Sequence, residues 1–486
     1  MPPRLPEAGV RGRKSPSRGQ KARTLSRLQL HIQRIGVGGV FHDTPRNRRH
    51  CALALHYTQG LLFPGERKSM QPCAARVPEA QYEAIQNFIT NSPWDWAQTQ
   101  SRLLDEMREA ASGPEGLLII DDVPLVKKGN KSPGVGRQYC GVLGKVDNCQ
   151  ALVDSVYVLP GEGAYREAVG WCFALDLYLP KDWVENPERC EEAGIPTPVH
   201  LREKWKIALE QVDRAREHRF PHRAVLADSG YGDAQRFRAG LRDRREPYVM
   251  GVDPSQVRVV PASTPLEKPG KKSPRGPART IPRLPSGLKS RSPKSLSQEV
   301  ASWTRIRWGE GTKGPLEGYF TRKKVRVCGG QFPTDEVGWL LLEKTSEGGS
   351  RSWICWGLNA LSLEELAAMA HRRFLIERFH EEAKMELGLD HFEGRKWRGL
   401  NHHLTLVLIA HTFLVKEQLR AQEEAQTLGK TGEKKGRAVL PTLAEMRRRV
   451  VLEVAWALVS RVALDPTKKE RMTWATAVAH YWAGAG

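Results

Sequence analysis

Two short apolar runs in this chain break off in the same way. GLLIIDD, from Gly116, and RAVLAD, from Arg223, each carry bulky side chains straight into a carboxylate, Asp121 with Asp122 in one case and Asp228 in the other. Runs of this length bounded by charged turns read as buried strands. In α/β sheets, ligands collect outside the carboxyl ends of the strands, so Asp121 and Asp228 face one site if the two runs are neighbours. The segments between and beyond them agree with such a sheet. NCQALVDSVYVL and AVGWCFALDLYLP are strand-like, LREKWKIALEQVDRAREH is an amphipathic helix, and PYVMGV is a further strand. Strands, then a helix, then a strand is the signature of an α/β core.

The flanks have other compositions. Residues 1–50, with RGRKSPSRGQKAR, read as a disordered basic arm, and residues 51–113 carry apolar side chains at helical intervals and read as a helical N-terminal domain. The catalytic core is expected over 114–252 and 352–420. Residues 253–300 are rich in Pro, Ser and Lys and read as a basic flexible loop able to lie along DNA. Residues 301–351, with WTRIRWG, KKVRVCG and GWLLLEKT, read as a β-rich insertion. A single helix is expected from the capping box of Ser362 and Glu365 to the stop at Gly388, and residues 421–486 form a helical C-terminal region.

Charge narrows the partner. Lys and Arg number 76 against 55 Asp and Glu, a net +21, and such a surplus attracts a polyanion because Lys and Arg release the counterions condensed on phosphates. The eight cysteines are scattered without a C-x-x-C pair and read as reduced, mostly buried thiols, while adjacent His402 and His403 lack the spacing of two ligands on one zinc. The longest apolar stretch, LTLVLIAHTFLV, is too short to span a bilayer, so a cytoplasmic protein without membrane contact is expected.

A third acid joins the two strand ends. Ala370, Phe374, Glu377 and Glu381 follow one helical face, and a carboxylate sharing an apolar stripe needs a partner or a metal. Oxygen donors without nearby cysteine suit Mg²⁺ or Mn²⁺, and two such ions about 3.5–4 Å apart clamp both oxygens of an in-line phosphoryl displacement. Each residue taken singly has a plainer role: strand-end aspartates cap turns, and ERFHEEAK could be an ion-pair face.

Taken together, the order Asp, Asp, Glu resembles the DDE transposases of bacterial insertion sequences, and several long stretches resemble the branch designated IS-seven-zero-one. IIDDVPLVKKGNKSPGVGRQYCGVLGKVDNCQ is similar to that branch's first block, LADSGYGD to its second, WGEGTKGPLEGYF to part of its β insertion, and RRFLIERFHEEAKMELGLDHFEGRKWRGLNHHLTLVLIAHTFL to its third. The resemblance implies a ribonuclease-H-like α/β core, a mixed sheet with helices, carrying a β-rich insertion and helical N-terminal and C-terminal regions. It implies Asp121, Asp228 and Glu377 as catalytic, metal-binding acids for a two-metal Mg²⁺ or Mn²⁺ site. Neighbours on a strand point to opposite faces, so only one of Asp121 and Asp122 is expected to reach the metals, and the resemblance to the first block puts the catalytic acid at Asp121.

The implied activity is cleavage at the element's ends followed by strand transfer. The partners would be double-stranded DNA, as terminal inverted repeats and target, and a second copy of the chain when two ends are synapsed; a bacterial cytoplasmic protein on the nucleoid would result. Lys127, Lys128 and Arg137 are then candidates for phosphate contact, as are Arg373 and Lys384, which match the Arg and Lys of a Tyr-Arg-Glu-Lys signature. Trp397, between Arg395 and Arg398, is either a base-stacking residue or, more simply, core. Ala370 in the tyrosine's place and Val123 in a threonine's depart from the pattern. They leave open a catalytically decayed DNA-binding protein, and a structure-selective nuclease of the same fold is the other alternative.

Overall fold

The structure is a computed structural model, and it describes residues 18–37, 44–111, 116–159, 168–267, 281–311, 314–330, 332–345, 349–430 and 440–463. Its centre is a sheet of strands β1 (Gly116–Val126), β2 (Gly136–Cys140), β3 (Lys145–Leu159), β4 (Val169–Tyr178), β5 (His222–Ala227) and β6 (Tyr248–Val252). β3 pairs antiparallel with β1 and with β4, while β5 runs parallel to β1 and β6 parallel to β5. The resulting order, β4-β3-β1-β5-β6, is that of a ribonuclease-H-like core. Gly116 to Ile120 of β1 are all buried. The run lacks polar alternation because helices cover both faces of the sheet: the Lys204–Glu217 helix packs on β3 and β4 from one side and the Leu375–Leu387 helix on β1, β3 and β4 from the other.

The β-rich insertion does not stand apart from this core. Strands β7 (Arg258–Pro261), β8 (Thr304–Gly311), β9 (Gly314–Gly329), β10 (Phe332–Lys344) and β11 (Ser350–Trp356) continue the same sheet, which β11 enters by pairing with β6. Leu340, Leu341, Leu342 and Ile354 are fully buried there, so consecutive residues need cover on both faces. An ion-pair cluster fastens β10 to the core. Glu336, with no exposed surface, accepts from Arg238 Nε at 2.8 Å and from the Tyr248 hydroxyl at 2.5 Å, and Arg242 lies 3.2 Å away.

Three expectations need correction. The basic arm contains a helix, Arg18–Ile35, because Leu25, Leu28, Ile32 and Ile35 recur at three- and four-residue intervals and are buried; residues 1–17 lie outside the described residues. The 253–300 segment is not simply a flexible loop either. Val257, Val259 and Val260 are buried, β7 pairs with β9, and Ser292 caps a helical turn at Pro293–Ser297. Four apolar-rich residues in a polar stretch were enough to add a strand, while residues 268–280 of the expected loop lie outside the described residues. Finally, the helix expected from Ser362 to Gly388 is broken: Leu363–His371 ends, Arg372–Phe374 forms a 3₁₀ turn, and Leu375–Leu387 follows.

The helical regions at the two ends of the chain pack on each other. The Pro45–Leu62, Tyr82–Thr90 and Trp96–Ala110 helices surround the long Trp397–Lys430 helix, which runs through the boundary expected at residue 420, and the Arg18–Ile35 helix lies on Leu443–Ala463. Two buried cations inside this layer are matched by carbonyls. Lys68 donates to the carbonyls of Leu61 and Phe63, and Arg447 to that of Leu62, which satisfies carbonyls left free where the Pro45–Leu62 helix ends. All eight cysteines are free, seven of them buried. Among the described residues no helix is long and apolar enough to cross a membrane.

Candidate active site

The parallel β1–β5 ladder ends at the pair Ile120 and Ala227. One residue further on each strand stand Asp121 and Asp228, abreast at the carboxyl ends of neighbouring strands. Asp228 turns at once into a helical turn, Ser229–Gly232, and its Oδ1 accepts from the Gly230 amide at 2.9 Å. That turn hugs β6: a Cβ at Gly232 would run into the carbonyl oxygen of Gly251. Asp121 Oδ1 accepts from the amide of Asp122 at 2.8 Å, and its Oδ2 accepts from Arg373 Nη1 at 2.8 Å. Arg373 Nη2 donates in turn to Glu377 Oε1 at 2.6 Å.

One guanidinium therefore clasps two of the three acids, and the third acts on it through its charge. Burial first, and then the neighbouring charge of Asp228, push the Asp121 carboxyl up to about 7, and Arg373 only partly opposes them. Burial works against the Arg373 charge, yet Asp121, Asp228 and Glu377 together raise its pKa. Two carboxylates at this separation repel unless a cation lies between them, and hard oxygen donors fit Mg²⁺ or Mn²⁺. Among the described residues, no three His, Cys, Asp or Glu groups converge as they would around a metal ion; Glu377 is turned to Arg373 instead.

The cleft above these residues has a volume of about 580 Å³, and Asp228, Ala370, Arg373 and Glu377 are in its wall. A larger cavity of about 1010 Å³ adjoins it, walled by Trp303, Trp308 and Tyr319 of the insertion and sharing Arg351, His371 and Phe374 with the cleft. This neighbour corrects the stripe argument for Glu377. Phe374 is 43% exposed and the Glu377 side chain 56%, so Phe374 faces open space at the 3₁₀ turn and no apolar stripe encloses the glutamate.

Asp122 points to the opposite face of β1. Its oxygens accept from the Tyr231 hydroxyl and from Lys204 Nζ, each at 2.6 Å. The basic candidates divide. Lys127 Nζ is spent on the carbonyls of Asp390 and Phe392, and Lys384 Nζ donates to that of Pro124 at 3.1 Å; burial lowers the pKa of both ammonium groups. Lys128 and Arg137 are exposed. Arg373 is engaged with the acids, and Trp397 is half-buried and packs against apolar clusters.

Sequence reasoning passed over two residues. Asp154 of β3 is fully buried directly opposite Asp121, and its Oδ2 lies 2.9 Å from His380 Nε2. The signals were present: an aspartate at the centre of the apolar run ALVDSVYVL, and a histidine three residues after Glu377. His402 and His403 are structural. His402 contacts the carbonyls of Ile89 and Trp94, and His403 contacts the Tyr57 hydroxyl and the Gly388 carbonyl.

Comparison with known proteins gives the family. The family described as DDE superfamily endonuclease matches residues 40–315, more than half of the 486 residues. The match spans Asp121 and Asp228 and ends before Glu377. A probable transposase for insertion sequence element IS701 from Microchaete diplosiphon is 28% identical over 177 residues, 36% of this chain and 41% of that protein. The matching stretch thus covers less than half the length of that curated relative.

Proposed function

The chain belongs to the DDE superfamily of endonucleases, and from that premise we propose that it is a DNA transposase that cuts phosphodiesters at the ends of an insertion sequence and joins the freed 3′-hydroxyl to target DNA. Asp121, Asp228 and Glu377 are the acids assigned to Mg²⁺ or Mn²⁺. The observation that carries this reading is Asp121 and Asp228 abreast on parallel strands, with Arg373 bonded to both Asp121 and Glu377. Divalent ions held by these acids would polarise the phosphoryl oxygens and activate the attacking hydroxyl.

The chain's own residues supply the rest. Asp121, with its carboxyl lifted to about 7 by burial and by Asp228, is balanced between its protonated and ionised forms near neutral pH, and a cation beside it would favour the ionised form. Arg373 keeps the acids neutralised in their resting arrangement, and its release from Glu377 frees that carboxylate to turn inward. Exposed Lys128 and Arg137 grip the DNA backbone, contacts that set register rather than read sequence. Two chains are at work when two ends are held together.

The test is a plasmid carrying the element's inverted repeats, incubated with purified protein in Mg²⁺ or Mn²⁺. Nicking and joining are expected, and Asp121→Ala, Asp228→Ala or Glu377→Ala should each abolish both while DNA binding persists. Binding without cleavage under any divalent ion would make the chain a decayed DNA-binding protein, the reading that Val123 and Ala370 favour. Cleavage without joining would make it a nuclease.

A further inference from the structure

We propose that His380 and Asp154 form a positioning pair that sets the register of Glu377 against Asp121, an inference resting on the assignment of those two acids given above. Asp154 and Asp121 are direct partners in the antiparallel β1–β3 ladder, so both side chains leave the sheet on the same face. Asp154 has no exposed surface, its Oδ2 meets His380 Nε2 at 2.9 Å, and its Oδ1 has no hydrogen-bond partner among the described residues. For packing alone this is a poor choice, because apolar residues of similar volume often replace a buried pair without loss of stability.

What the pair adds is direction. The 3₁₀ turn at Arg372–Phe374 interrupts the helix just ahead of the first turn that carries Glu377, so the Leu375–Leu387 helix does not inherit its rotational phase from the segment before it. It must be anchored further along. His380 follows Glu377 by three residues and Lys384 by seven, which puts all three on one helical face. His380 is tied to β3 through Asp154, and Lys384 to β1 through the Pro124 carbonyl. With Arg373 on Asp121, these contacts fix the helix against β1, which carries Asp121, and against its neighbour β3; misplacement by about 1 Å at such a site is enough to cost 100-fold in rate.

The experiment compares two double variants with wild type by thermal melting, by Mn²⁺ affinity from electron paramagnetic resonance without DNA, and by end cleavage. Asp154→Leu with His380→Leu keeps packing and deletes the contact. It should melt at or near the wild-type temperature yet bind Mn²⁺ about tenfold more weakly and cleave about 100-fold more slowly, the range found when residues supporting metal ligands are removed. Asp154→Asn with His380→Gln keeps a neutral hydrogen bond and should stay within about threefold of wild type in both readouts.

A stable Leu/Leu protein with wild-type Mn²⁺ affinity and cleavage would overturn the inference. If Leu/Leu does not fold, the Asn/Gln variant decides: wild-type affinity supports the pair, and a native melt with about tenfold weaker binding overturns it. Wild type that binds Mn²⁺ but never cuts refutes the transposase reading while the affinities still judge the pair. Wild type that binds no Mn²⁺ refutes both.

Discussion

In the helical layer, His403 makes a 2.9 Å contact with the Tyr57 hydroxyl and a 3.2 Å contact with the Gly388 carbonyl, and His411 lies edge-on to Phe379. Burial, with the nearby charges of Lys127 on His403 and Arg378 on His411, lowers both imidazoles to about 3, so the rings are held neutral. In the cleft, 18%-exposed Asp121 faces Asp228, and the two like charges share a single Arg373. In the helical layer these imidazoles are held neutral and its buried cations, Lys68 and Arg447, are each matched by carbonyls or an acid, whereas the cleft sets like charges side by side. Perturbed acids bunched beside a cleft are the pattern of a site shaped for ligand rather than for stability.

The sharpest way to break that contrast is Asp121→Asn. Cleavage should fall about 1000-fold or more, because the amide can neither carry the charge nor replace the oxygen donor. Stability should move the other way. The Asp121 carboxyl is raised to about 7 in the folded state, so its ionisation costs stability progressively from about pH 4 to pH 7 and the loss is complete above that. In EDTA at pH 8 the variant should therefore be more stable, by roughly 1–3 kcal/mol, in chemical denaturation. A variant no more stable than wild type would mean that the cleft holds no stored repulsion.

The second test sits in the helical layer. For His403 and His411 the folded pKa is depressed to about 3, so the unfolded chain binds more protons between about pH 6.5 and 3, and stability falls as the pH drops through that window. At about 1.4 kcal/mol per unit and group, the two histidines remove about 4 kcal/mol by pH 5. Melting temperatures recorded from pH 7 to 5 should fall steeply, and His411→Leu should make the fall shallower by roughly a third, because His402, lowered to about 4 by burial, titrates in the same window.

These regions differed in how far the sequence disclosed them. GLLIIDD and RAVLAD disclosed their strands and the acids at their ends, because apolar runs and strand-end acids are local signals; that the two strands are neighbours is a long-range pairing, which the structure supplies. The Arg18–Ile35 helix was hidden by a basic composition that obscured the spacing of Leu25, Leu28, Ile32 and Ile35. The break at Arg372–Phe374 was invisible for the opposite reason, since LEELAAMAHRRFLIERFHEEAKMEL has good helix formers throughout. Only tertiary contact with the strands and the neighbouring cavity separates its two halves. Lys127 looked like a phosphate ligand because charge is legible in sequence and its partner is not; the carbonyls it holds belong to residues 390 and 392.

Charge alone does not mark function, and Glu336 sharpens the comparison on that point. It is as deeply buried as Asp154, but Arg238, Arg242 and Tyr248 surround it. Glu336→Ala should cost about 3–5 kcal/mol by leaving buried Arg238 without its acid and Arg242 with Asp335 alone, and it should loosen the insertion strands first, seen as faster amide exchange over β9 and β10. If metal-free stability falls no further than with a surface substitution, the cluster does not fasten the insertion.

The smallest effects separate Lys127 from Lys128, adjacent residues behind the first strand. Lys127→Met removes an ammonium that bridges two carbonyls while keeping the aliphatic stem, and should lower stability by about 1–2 kcal/mol without changing the salt dependence of DNA binding. Lys128 is exposed, so Lys128→Ala should leave the melting temperature unmoved, weaken DNA binding severalfold, and reduce the slope of log affinity against log salt by about one. The opposite outcome, a salt slope changed by Lys127 and not by Lys128, would require the turn to reopen on DNA and release its buried lysine to the phosphates.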